Sequence, residues 1–171
     1  LIGMEACAGA HYWARELMAL GHYVRLMPAA YVKAYVKRGK TDAGDAEAIC
    51  EAVLRPTMRF VPVKSTEQQG ILSLHRARHL LVRQRTQAVN ILRSLCAEFG
   101  VIAAKGKMPL RDLAALIGDE NDARLPYEAR LALRPLLDQL DHLGRNIAAL
   151  EREIVLRHRA DATSRSLETI P

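Results

Sequence analysis

The sequence predicts an α/β domain followed by a long helical segment, on three observations. Short apolar runs alternate with helix-patterned stretches over the first sixty residues. A capping pattern at Ser65 opens a stretch without proline or turn clusters up to Gly100. From Leu133 onward, leucines and isoleucines recur at alternating steps of three and four. Strand–helix alternation is the signature of a sheet covered by helices, and the later periods are those of an amphipathic helix. The 171 residues suffice for a small domain plus a helical extension.

Leu1-Ile2-Gly3-Met4 reads as a buried strand with Glu5 at its far end. In Ala10 to Leu20, Trp13, Leu17 and Leu20 share a helical stripe, and Gly21 is a natural stop. Tyr23 to Met27 alternates like a strand, and Pro28 opens a helix. That helix has an apolar face of Tyr31, Val32, Tyr35 and Val36, with Lys33 and Lys37 pointing elsewhere. A third helix is expected from about Asp42 to Leu54, ending before Pro56. Arg59 to Val63 is an expected edge strand, because Pro62 cannot donate to a ladder. At least one further strand is expected upstream of Leu1.

Ser65-x-x-Gln68 has the form of a capping box and starts one long helix. Its seam runs Ile71, Leu74, Arg78, Leu81, Arg85, Ala88, Leu92, Leu95 and Phe99, with arginines at two positions. A connector (Ala104 to Pro109), a short helix (Leu110 to Ile117) and a polar turn (Gly118 to Asp122) lead to Pro126. Leu133, Leu136, Leu140, Leu143, Ile147, Leu150 and Ile154 then keep a strict heptad step, with a start or kink expected at Pro135. The two long helices can pair with each other or with another protomer. Segments 1–64, 65–160 and 161–171 are thus an α/β part, a helical coiled-coil part and the start of a linker.

Half the residues are apolar and only 5% aromatic, a mix that suits helices. The net charge of +6 lies in the first hundred residues. Residues 1–63 carry 8 Lys/Arg against 6 Asp/Glu, residues 64–100 carry 6 against 2, and residues 101–171 carry 11 against 11. This imbalance points to a polyanionic partner for the basic half. Cys7, Cys50 and Cys96 form no C-x-x-C pair, so neither a zinc site nor a disulfide framework is indicated. No apolar run approaches the ~18 residues of a membrane span and no signal peptide is apparent, so cytoplasmic reduced thiols are expected.

The chemistry-bearing candidates are Glu5, Asp42 and Asp45. Asp42 and Asp45 stand three residues apart at the start of a helix and share a face, so they could grip one cation. The structural alternative is a helix N-terminus whose acids satisfy free amides and the dipole. For Glu5 the alternative is a solvent-facing acid at a strand end. Lys33, Lys37, Arg38 and Lys40 would bring phosphates near the carboxylates, or form a solvated face. His75, Arg76, Arg78, His79, Arg83, Arg85 and Arg93 give the long helix a basic flank, of which Arg76 and Arg83 are candidate nucleic-acid contacts. His11, His22, His142 and His158 show no ligand spacing and read as incidental.

Several blocks in order resemble one family: Met4 to Cys7, Ala10 to Arg15, Tyr31 to Arg38, Asp42-x-x-Asp45-Ala46-Glu47-Ala48-Ile49, and Arg59 to Lys64. Together they are similar to the DEDD-type insertion-sequence transposases of the insertion sequence 110 family, related to the Piv invertase. The resemblance implies a partial RuvC-like, RNase H-type catalytic domain followed by a helical coiled coil. It implies Glu5, Asp42 and Asp45 as the second, third and fourth acids of a tetrad that binds Mg²⁺ or Mn²⁺, with the first Asp on the expected upstream strand. It also implies a C-terminal domain with a nucleophilic Ser beyond this chain, DNA as substrate, a guide RNA in characterised relatives, and homo-oligomerisation. The isolated chain is then expected to bind nucleic acid weakly without recombining it. The competing readings are a noncatalytic nucleic-acid-binding oligomerisation module and a RuvC-like junction resolvase.

Overall fold

The computed structural model describes residues 1–37, 41–103 and 109–168. The chain is mixed α/β and mostly helical, and it divides into two compact units, Leu1–Gly70 and Ile71–Pro171.

In the first unit, β1 (Ile2–Glu5) and β2 (Val24–Met27) pair in parallel, with Ile2 opposite Val24 and Glu5 opposite Met27. Parallel neighbours need a crossover, and α1 (Ala10–Ala19) supplies it. The pleat sends alternate residues to opposite faces. On one face Ile2, Met4, Val24 and Leu26 pack with Ala10, Ala14 and Leu17 of α1. On the other, Met27 shares a core with Val32 of α2 (Ala29–Val32) and with Ala48, Ala52 and Val53 of α3 (Asp42–Val53). Gly3 also faces α3: a Cβ there would stand 2.9 Å from Val53 Cβ and 3.1 Å from Ile49 Cγ2. The lack of a side chain lets strand and helix approach closely.

Some expectations need correction. The buried stripe of α1 is Ala10, Ala14 and Leu17, whereas Trp13 and Leu20 are 57% and 75% exposed. Small residues bring the helix close to a two-stranded sheet, which is too narrow to cover an indole. Tyr31 likewise stays exposed. Arg59 to Val63 is not a strand: one antiparallel bridge joins Leu26 to Val61, whose N–H donates to the Leu26 carbonyl at 2.8 Å. Pro62 has no N–H, so the ladder stops there. Side chains of α1 hold the next residue instead: His11 Nδ1 accepts from the Lys64 N–H (3.2 Å), and Arg15 Nη1 donates to the Lys64 carbonyl (2.7 Å). His11 is therefore structural rather than incidental.

The capping box forms as read: Ser65 N–H donates to Gln68 Oε1 (3.0 Å) and Gln68 N–H to Ser65 Oγ (3.1 Å). α4 (Thr66–Ala97) follows without a break. The chain turns at Gly100 (φ 73°), where the Val101 and Gly100 amides close on the Cys96 and Ala97 carbonyls, the double bond pattern that a left-handed residue permits.

In the second unit Ala88, Leu92 and Cys96 of α4 share a core with Leu113, Leu116 and Ile117 of α5 (Leu110–Gly118) and with Leu133 and Leu140 of α6 (Tyr127–Ala160). Farther along, Arg78 Nε and Nη2 donate to Glu151 Oε1 at 2.9 and 2.5 Å. Earlier residues of α4 therefore meet later residues of α6, and the two long helices run antiparallel within one chain. The seam arginine Arg78 is explained by this pairing. Cys96, not Phe99, fills the buried position at the end of α4, because the helix stops at Ala97.

α6 begins after Pro126, not at Pro135, which lies inside it. Pro135 removes the bond to the Leu131 carbonyl, but Leu131 is 59% exposed, so water can satisfy that group. No local pattern marks Arg130, which is 4% exposed. Its Nη1 donates to the Leu116 and Ile117 carbonyls (2.8 and 2.9 Å), its Nε to Leu125 O (3.2 Å) and its Nη2 to Asp122 O. One guanidinium thus caps the C-terminal end of α5, where carbonyls lack helical partners and the dipole favours a cation. At the far end of α6, His158 bridges Ser164 Oγ (2.7 Å) and Glu168 Oε2 (3.1 Å) of α7 (Ala162–Glu168), so it too has a structural role. Among the described residues no helix is long and apolar enough to cross a membrane.

Candidate active site

The expected acids come from the two elements that meet at Gly3. Thr41 is the N-cap of α3, with extended backbone (φ −139°, ψ 145°) and Oγ1 accepting the Gly44 N–H at 3.1 Å. Asp42 is therefore not the cap. Asp42 and Asp45 occupy the first turn of α3, where the helix dipole favours negative charge but no side-chain cap bond needs them.

Helix and strand periods fix which way these acids face. Asp42, Asp45, Ile49 and Val53 follow steps of three, four and four, a single stripe of α3, and its apolar end rests against Gly3. Glu5 lies two residues after Gly3 on β1 and so projects to the same side of the sheet. Glu5 is thus on the side of β1, and Asp42 and Asp45 on the stripe of α3, whose apolar members Ile49 and Val53 meet at Gly3. Glu5 is half-buried and the two aspartates are exposed. None has a side-chain hydrogen bond or ion pair among the described residues.

A resident cation requires more than a shared side. Among the described residues no three His, Cys, Asp or Glu side chains are grouped so that they could hold a metal ion. These acids do not by themselves make a complete metal centre.

Arg25 also belongs to this face, and the sequence reading overlooked it. It stands opposite Gly3 in the strand register, with its guanidinium over the Phe60 ring (4.3 Å) and the Tyr23 ring (5.1 Å). The signal was available in the alternation Tyr23, Arg25, Met27, which sets a cation on the Glu5 side of β2.

Of the candidate nucleic-acid contacts, Lys33 is exposed, and Lys37 is exposed but paired with Glu47 at 2.5 Å. Arg38 and Lys40 lie outside the described residues, as does most of the connector 104–109. Arg76 and Arg83 are exposed on α4 with no partner among the described residues. The cysteines are free thiols: Cys7 and Cys50 are exposed, Cys96 is buried, and burial pushes its thiol pKa up.

Comparison with known proteins gives this arrangement its context. The model of the IS110-type DEDD family, described as "Transposase", matches residues 1–100. The chain is 52% identical over 163 residues to a Pseudomonas aeruginosa protein named "Probable family 20 transposase", covering 95% of this chain and 48% of that protein. It is 40% identical over 171 residues to the transposase for insertion sequence element IS1328 of Yersinia enterocolitica, covering 100% and 50%. With the transposase for IS1111A of Coxiella burnetii the identity is 36% over 169 residues, covering 98% and 46%. The chain spans about half the length of these curated relatives. No solved structure matches it. With the family model covering more than half of its residues, the chain belongs to the IS110-type DEDD transposase family.

Proposed function

We propose that this chain is the catalytic-acid and helical part of an insertion-sequence transposase, acting on DNA in the cytoplasm. Residues 1–64 form the partial RuvC-like, RNase H-type region, and 65–160 the coiled-coil segment through which copies of the protein associate. What supports the reading is that Ile49 and Val53, on the same stripe of α3 as Asp42 and Asp45, pack at Gly3, two residues before Glu5 on β1, while none of the three acids has a side-chain partner among the described residues. Carboxylates without a protein partner are free to take a cation or a substrate group, which suits residues kept for chemistry.

These three acids form only part of the centre. By the family resemblance, Mg²⁺ or Mn²⁺ is the cation such a centre uses, and a fourth carboxylate would complete the set. The edge of β1 opposite β2 is unpaired among the described residues, and a further strand there would bring such an acid beside Glu5. Lys33, Lys37, Arg38 and Lys40 are proposed to hold phosphates, those of DNA and of a guide RNA.

The test is donor-DNA excision by a full-length protein carrying this segment. Glu5→Gln, Asp42→Asn and Asp45→Asn should each lower excision at least a hundredfold while leaving DNA affinity within threefold. Excision at the parent rate by any of the three would remove that residue from the site. The isolated chain should bind DNA weakly and produce no strand exchange on a supercoiled plasmid with Mg²⁺ or Mn²⁺. Efficient strand exchange by it would refute this assignment.

A further inference from the structure

α4 carries a surface whose charge is of one sign. From Gln68 to Ala97 it holds five arginines and two histidines and no Asp or Glu. α6, of similar length, mixes six arginines with five acids, so the one-sided charge is a property of α4 and not of long helices in this chain.

Two of those arginines and one histidine share a face: Arg76, His79, Arg83, Gln87, Asn90 and Ser94 follow steps of three and four, a stripe about 27 Å long at ~1.5 Å per residue, while Arg78, Arg85 and Arg93 lie off it. The buried residues Ala88, Leu92 and Cys96 lie on the opposite side of the helix. All six stripe residues are exposed, and none has a hydrogen-bond or ion-pair partner among the described residues. An ordinary solvated helix face gains stability from opposite charges at i,i+4, and this one has none.

We propose that this stripe of α4 docks in the major groove of duplex DNA. The proposal rests on the nucleic-acid reading given above and adds the form of the partner and the mode of contact. A partner helix would need an apolar seam, and an anionic membrane an apolar face; beside the stripe the exposed large apolar residues are Leu80 and Ile91, eleven residues apart, which make neither. A helix with its side chains, ~10–12 Å across, fits the ~12 Å major groove of B-form DNA, whereas the major groove of A-form RNA is too narrow and deep to read. The residue types fit as well: Arg83 can pair with guanine, Gln87 and Asn90 with adenine, and Arg76 can contact phosphate.

The experiment is fluorescence anisotropy of this chain with a 20-bp random-sequence DNA duplex, the same sequences as an RNA duplex, and single-stranded DNA, across a salt series. Arg76→Ala/Arg83→Ala should weaken duplex DNA binding roughly ten- to thirtyfold and flatten the log–log salt slope by about 1, the phosphate contact of Arg76. Gln87→Ala/Asn90→Ala should leave that slope unchanged and erase sequence preference in selected duplexes. A control pair on α6, Arg145→Ala/Arg152→Ala, should change neither, and circular dichroism should show every variant as helical as the parent. DNA binding that the α4 substitutions leave intact would overturn this proposal while preserving the nucleic-acid reading. Preference for the RNA duplex would overturn the groove assignment, and no binding to any of the three probes would overturn both.

Discussion

Arg130→Met offers the sharpest test of how the second unit is held together. The guanidinium is buried and donates to the carbonyls of Leu116, Ile117, Asp122 and Leu125. Methionine fills a similar volume without donors, so the change strips four acceptors while largely keeping the packing. Each bond to a charged donor contributes about 1.5–3 kcal/mol, but two of the four share one nitrogen and carbonyls near the surface recover water. The expected loss is therefore about 3–5 kcal/mol, in the range for breaking a buried polar network. Arg130→Lys keeps the charge but cannot span four carbonyls from one ammonium, and should lose about 2–3 kcal/mol. Urea unfolding followed at 222 nm measures both, and amide exchange in α5 localises the effect, because Leu113, Leu116 and Ile117 should lose protection first. If Arg130→Met unfolds within 1 kcal/mol of the parent, the four-carbonyl cap is not what fixes α5 against α6.

Other perturbations probe the remaining links. Gly3→Ala places a Cβ 2.9 Å from Val53 Cβ and should cost about 1–3 kcal/mol in urea unfolding, since α3 must retreat from β1; an unchanged midpoint would contradict the close approach of β1 and α3. Thr41→Ala should cost about 1 kcal/mol as a lost cap, whereas Asp42→Ala should cost less than Thr41→Ala without metal, which chemical denaturation of the two variants compares directly. Asp122 is held down to about 2, first by its hydrogen bond from the Arg124 side chain. Its lowered pKa means that the interaction is complete above the ordinary carboxylate range and is lost as pH falls through about 2. NMR titration should find that midpoint, and Arg124→Ala should raise it while leaving it below the ordinary carboxylate value, because the residue-124 N–H still donates to Asp122 Oδ1. Ellman's reagent should modify Cys7 and Cys50 in the native chain and Cys96 only on unfolding.

Local signals in the sequence determined the elements whose causes lie within a few residues. The Ser65/Gln68 box, the stop at Gly100 and the boundaries of α3 and α5 depend on neighbours three to five positions away. The order of several separated blocks, the acid block among them, also sufficed to place the chain in its family. Tertiary structure alone decided which side each element turns inward: Ala14 rather than Trp13 on α1, Cys96 rather than Phe99 on α4. It alone decided that Arg78 meets Glu151 within the chain, and that a buried arginine caps a helix twelve residues upstream of it. Arg130 looked like any surface arginine because the carbonyls that bind it belong to the backbone, which carries no sequence signature. Periodicity shows that a helix has two faces, but which of them is covered depends on the width and distance of whatever packs against it, and those follow from the whole fold.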